Sequence, residues 1–181
     1  MFSGDLDPPL APSGVVQARE LAKRLAHLSV EGIYSSPKQR ARATAEPTAN
    51  ALGLSPHVED GLREIGYGAW EGKMEKDVRA HEQATFDAWV ADPASLSPPG
   101  GETAVAIAAR AMPVVDRIVM NQKDRDVLVF SHKATIRIIA STLLGIPLSR
   151  FRDRIACPTA SVTTFTFGPH GPLLVRLGEP I

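Results

Sequence analysis

Three side chains in this 181-residue sequence combine a chemistry and a setting suited to an anion. Arg40 sits about one turn into a predicted helix that follows a predicted strand. Its guanidinium can reach back toward the strand's carboxyl end, where helix N-termini favour negative groups. A planar arginine fork also matches phosphate oxygens; the competing reading is a surface arginine paired with Glu46 or another acid. His132 directly follows a predicted buried strand, and Ser131 is placed to cap the next helix. An imidazole there can donate to a phosphoryl oxygen; otherwise local hydrogen bonds satisfy it. Glu64 lies in the loop Leu62-Arg63-Glu64-Ile65-Gly66-Tyr67-Gly68. A loop carboxyl beside an anion pocket can protonate a leaving oxygen when its pKa is raised, and is otherwise a solvated charge. His27, His57, His81 and His170 have no such setting and read as structural or solvated.

The elements that must position these groups follow from periodicity and breakers. Val16, Leu21, Leu25 and Leu28 predict an amphipathic helix over Ser13 to Leu28. Gly32 to Ser35 reads as a strand, and Ser36-Pro37 as the opening of a helix that stops at Gly53, kinked at Pro47. Residues 54–72 read mostly as loop, and Lys73 to Ala91 as one or two helices. After the breaker Pro98-Pro99-Gly100-Gly101, a helix is expected from Thr103 to Gln122, kinked at Pro113. Asp126 to Phe130 is a buried strand, and Lys133 to Leu144 a helix closed by Gly145. Two strands, Thr159 to Phe167 and Leu173 to Leu177, flank a turn at residues 168–171. Strands alternating with helices predict a three-layer α/β/α sandwich with a mainly parallel central sheet, in which ligands bind beyond the strands' carboxyl ends.

Composition narrows the rest. One domain, residues 1–181, accounts for the length, with 44% apolar residues for its core. Twenty basic and twenty acidic residues leave no field for nucleic acid. The most apolar stretch, Ile136 to Leu148, is broken by Arg137, Ser141 and Pro147, so no membrane partner is expected. A single cysteine, Cys157, allows no internal disulfide and reads as a small buried apolar residue; a reducing, cytoplasmic setting follows.

Taken jointly, the segments resemble the histidine phosphatase (phosphoglycerate mutase-like) superfamily from Phe2 to near Phe167. Phe2-Ser3-Gly4 with residues 7–14 resembles its substrate loop. Ser35-Ser36-Pro37-Lys38-Gln39-Arg40 resembles its second arginine motif, Leu62 to Gly72 its acid-carrying loop, and Pro99 to Thr103 with Val129 to His132 its last two. The resemblance implies a metal-independent phosphoric monoester hydrolase that works through a phosphohistidine and needs no cofactor. Arg40 and His132 would bind the phosphoryl oxygens, Glu64 would protonate the leaving alcohol, and Ser3, Gly4 and Tyr67 would line the substrate pocket. The expected partner is a small phosphorylated metabolite. A phosphoglycerate mutase-type transfer and a non-catalytic phosphate-binding or interaction domain are the alternatives. Lys73, Lys76 and Arg79 share their stretch with Glu71, Glu75, Asp77, Glu82, Asp87 and Asp92, which points to a monophosphate.

The pattern breaks in two places. The family's nucleophile stands in an Arg-His-Gly motif after a first strand, and no Arg-His-Gly occurs here; Met1 lies one residue before the substrate loop. The expectation is therefore an N-terminally truncated domain with its first strand missing, poorly stable by itself or associating, a homo-oligomer included. Lys133 stands where the family usually has glycine, and either adds positive charge toward an acidic substrate or points into solvent.

Overall fold

Side-chain alternation along two strands splits the core into two faces. The computed structural model describes residues 1–121 and 125–180. Strands β1 (Val30–Ser35), β2 (Pro56–Val58) and β3 (Asp126–Phe130) form a parallel sheet in the order β2-β1-β3. Ile33, Leu128 and Phe130 point to one face, against Leu21, Leu25, Ala45 and Ala49 of helices α1 (Pro12–Leu25) and α2 (Gln39–Leu52). Tyr34 and Val127 point to the other, against Leu62, Ile139 and the helix α4 residues Val114 and Ile118 (α4, Ala104–Asn121). The period of two along each strand produces this division, and the result is the α/β/α sandwich with a parallel sheet. Among the described residues β1 pairs on both sides, and the outer sides of β2 and β3 are the edges of this sheet.

The remaining elements are α3 (Glu75–Ala91), α5 (Lys133–Leu143), the single turn α6 (Phe151–Arg154) and an antiparallel hairpin, β4 (Ser161–Gly168) with β5 (Gly171–Pro180). Gly53 closes α2 in the left-handed region, φ 67°, donating to Ala49 and Asn50 carbonyls. Both α2 and α4 continue through Pro47 and Pro113, while α3 is two helical pieces bent at Glu82 (φ −134°, ψ 37°). At this bend the Glu82 carboxylate accepts from Nε1 of Trp70 and Nζ of Lys73.

Several expected boundaries and faces move. Val16 is 57% exposed, and the buried stripe of α1 is Ala18, Leu21, Ala22 and Leu25. Pro37 lies outside α2, because Lys38 is the extended residue before the first turn, so Arg40 is the second helical residue. Residues 54–72 contain β2 and two 3₁₀ turns, short elements whose pairing depends on β1 rather than on their own pattern. The end expected at Gln122 lies outside the described residues. No helix among the described residues is long and apolar enough to cross a membrane, and Cys157 is buried and free.

Candidate active site

The carboxyl ends of β1 and β3 lie side by side, with Ser35 opposite Phe130. The segments leaving them bring Ser36 and His132 together: Nε2 of His132 is hydrogen-bonded to Oγ of Ser36 at 2.8 Å. His132 is only 8% exposed. Burial, reinforced by the charges of Arg40 and Lys38, draws its pKa down to about 3, so the imidazole is neutral at pH 7.

Ser131 does not cap α5. Its hydroxyl donates to the Leu62 carbonyl at 2.7 Å, tying the end of β3 to the loop that carries Glu64. His132 takes the N-cap position without a capping bond from its own side chain. The Glu64 carboxyl fills that place instead, accepting from the Ala134 and Thr135 amides at 3.3 Å each and from its neighbour Ile65 at 3.0 Å. A carboxyl from a distant loop thus satisfies the orphan donors of α5. Burial pushes Glu64 above the ordinary carboxyl range, against the opposing pull of these amides and of Arg40.

Arg40 faces the amino-terminal segment. Its guanidinium donates to the carbonyls of Leu6 (2.8 Å), Gly4 (3.3 Å) and Ser3 (3.4 Å) and stands 3.4 Å from the Asp7 carboxylate. Lys38 donates to the Asp5 carbonyl, and Asp7 caps α2 through the Gln39 amide. From the far side the Glu71 carboxylate receives the amides of Gly4, Asp5, Leu6 and Tyr67. Burial opposes ionisation of Glu71, but these donors outweigh it and leave its pKa lowered. Gly4 is required by close approach: a Cβ there would lie 1.7 Å from the Ile65 carbonyl oxygen. Ser3 and Gly4 therefore meet Arg40 through their backbones.

Tyr67 packs at a tilt against Phe2, 4.9 Å between ring centroids, and lines a cavity of about 240 Å³ together with Glu64. Lys133, Arg137, Phe151 and Arg152 complete most of its wall, whereas Arg40 and His132 do not line it. Glu64 and Tyr67 thus share one cavity; Arg40 and His132 lie outside its wall, and the charge of Arg40 still pulls the pKa of both cavity groups down. Lys133 is exposed at the cavity wall. The other four histidines are elsewhere: His57 stacks on Tyr34, His81 bonds the Asp77 carbonyl, His27 is in the turn after α1, and His170 is in the hairpin turn.

Sequence reasoning missed Arg110. It holds Glu102 through Nε and Nη2 at 2.9 Å each, and donates to the carbonyls of Gly61, Arg63 and Glu64. Glu102 also accepts from Arg63 and from the Gly66 amide. This partly buried ion pair sets the loop that presents Glu64. Its signal in the sequence is one arginine two turns into a helix after Gly101-Glu102, indistinguishable there from a surface charge.

The Histidine phosphatase superfamily (branch 1) matches residues 1–180. Phosphoserine phosphatase 1 of Hydrogenobacter thermophilus is 30% identical, over 97% of this chain and 83% of that protein. The glucosyl-3-phosphoglycerate phosphatase of Mycolicibacterium vanbaalenii is 32% identical, over 83% and 69%. Among solved structures, a mycobacterial glucosyl-3-phosphoglycerate phosphatase superposes with a TM-score of 0.90 at 28% identity, covering 98% of this chain and 90% of its own.

Proposed function

Since the chain belongs to the histidine phosphatase superfamily, branch 1, we propose that it serves the hydrolysis of a small phosphorylated metabolite through a phosphohistidine. Relatives named as phosphatases of such metabolites support the substrate class. The observation that carries the reading is the buried Glu64 carboxyl, held above its ordinary pKa on the cavity wall within the field of Arg40. In the proposed reaction the phosphoryl oxygens meet the Arg40 guanidinium, which exchanges loop carbonyls for them, and the neutral His132. As an imidazole nitrogen bonds to phosphorus, the P–O bond to the alcohol breaks and Glu64 delivers its proton to the departing oxygen. Water then attacks phosphorus, giving a proton to the same carboxyl, and the P–N bond breaks to release inorganic phosphate and the free imidazole. No Arg-His-Gly occurs among these residues, and His27, His57, His81 and His170 do not line the cavity, so the residues present do not supply the attacking imidazole of this route. Lys73 and Arg79 pair with Glu82 and Glu75, which favours a monophosphate substrate over mutase-type transfer. A cytoplasmic location belongs to the same reading.

The second reading, a phosphate-binding domain without turnover, is favoured by that same want of a nucleophile among the residues present. Hydrolysis of p-nitrophenyl phosphate separates the two. With an Arg-His-Gly segment and its strand joined ahead of Met1, activity is expected, falling at least about 100-fold in Glu64→Gln, Arg40→Ala and His132→Ala. A folded, extended protein that binds phosphate and never turns over supports the binding domain instead.

A further inference from the structure

The cavity beside Glu64 carries two arginines that form no ion pair among the described residues. Arg137 comes from α5 and Arg152 from α6, and both line the wall. Nε of Arg137 is buried without a hydrogen-bond partner. Arg152 is held by aromatic faces, its guanidinium carbon 3.5 Å from the Trp89 centroid and 5.2 Å from that of Phe151. Burial, aided by the charge of Arg137 and opposed by Tyr67 and Asp153, draws its pKa to about 10. Lys133 adds a third cation at the same wall. Two mutually repelling guanidiniums in a partly dry wall are costly until an anion arrives, and each then gains charge-assisted hydrogen bonds.

The position of these charges specifies what the anion belongs to. The cavity includes Glu64, the proposed proton donor to the leaving alcohol, and excludes Arg40 and His132, the proposed phosphoryl ligands. We propose that Arg137 and Arg152, with Lys133, form a second anion subsite that selects phosphomonoesters whose alcohol part carries its own negative group, a carboxylate or a second phosphate. This rests on the reading of Arg40, Glu64 and His132 as the phosphoryl-handling groups.

Calorimetric titration of the protein with matched ligands tests it. O-phosphoserine and O-phosphoethanolamine differ by one carboxylate; propanediol bisphosphate and propyl phosphate differ by one phosphate, and the pair showing the larger ratio identifies the preferred anion. At least one pair is expected to show a preference of about tenfold or more for the doubly anionic member. That ratio is expected to fall to within threefold of one in Arg137→Gln and in Arg152→Gln. If Arg152→Gln unfolds through lost packing on Trp89, Arg137→Gln decides alone, its fold checked by circular dichroism. Ratios near one in the parent, or ratios unchanged in a folded Arg137→Gln, overturn the subsite. If Arg40→Ala still weakens phosphoethanolamine binding in that case, the phosphoryl reading survives it. If Arg40→Ala and His132→Ala leave all four affinities unchanged, the phosphoryl reading falls and the subsite falls with it.

Discussion

At the scale of single residues, the site is defined by how burial and neighbouring charge set protonation. His132 is neutral and Glu64 retains its proton to higher pH than a free carboxyl, for the same reason: each is buried, and burial disfavours the charged form. This has a consequence for stability. The unfolded chain protonates His132 near pH 6.5, whereas the folded chain resists until about 3. The unfolded state therefore binds the proton first, and the stability contributed by the neutral imidazole is complete above pH 6.5 and declines as pH falls toward 3, by up to about 1.4 kcal/mol per pH unit. Glu64 acts in the opposite sense, but it is common to the parent and a His132→Gln variant. Urea unfolding of both proteins from pH 7 to pH 5 is expected to show the parent losing stability faster than the variant. Parallel decline would mean that His132 is solvated and titrates normally.

At the scale of elements, three separate anchors hold the site. Glu64 caps α5, Glu71 gathers the amides of residues 4–6, and Arg110 clamps the loop from Gly61 to Glu64. Arg110 and Glu102 are both largely buried, with 14% and 20% of their side chains exposed. Removing one member of such a pair leaves the other uncompensated, so Arg110→Met is expected to destabilise the fold by about 3 kcal/mol and to lower activity of the extended enzyme by displacing Glu64. Thermal unfolding and kcat measure the two effects, and the double variant Arg110→Met with Glu102→Gln is expected to recover part of the stability. Equal melting temperatures for parent and Arg110→Met would refute the clamp. The elements themselves were readable where pattern is local: the strand 126–130, the stop at Gly53 and the break at residues 98–101 all follow from side-chain type and backbone freedom. The burial expected of that strand, however, holds only at Phe130, because β3 lies at the sheet's edge and leaves Val129 41% exposed. The loop elements over 54–72 were not, because β2 exists only through its pairing with β1.

At the scale of the whole molecule, the sheet and the hairpin are unequal partners. The three parallel strands lie between helices on both faces. The hairpin touches the first core through Val162 and is tied to α1 by Arg24, which bonds the Pro180 carbonyl and Glu179. One face of β5 is open, with Leu173 64% exposed and Val175 and Leu177 also exposed. A two-stranded ribbon with so few buried contacts opens at lower cost than a sandwiched sheet. Amide hydrogen exchange across residues 161–180 is accordingly expected to run at least about tenfold faster than across 30–35 and 126–130, read by mass spectrometry of peptic fragments. Matching rates would make the hairpin part of one cooperative unit.

From the chain of residues alone came the alternation of strands and helices, the three chemically apt side chains and the family likeness, because each depends on neighbours within a few positions or on short ordered motifs. The folded structure alone decided that Glu64, rather than Ser131, caps α5, that Arg110 secures the acid loop, and that Arg137 and Arg152 share a cavity. Those relations join residues from 15 to 70 positions apart. Nothing in local sequence distinguishes a buried, partnered charge from a solvated one; only the packing around it removes the water and sets the distance.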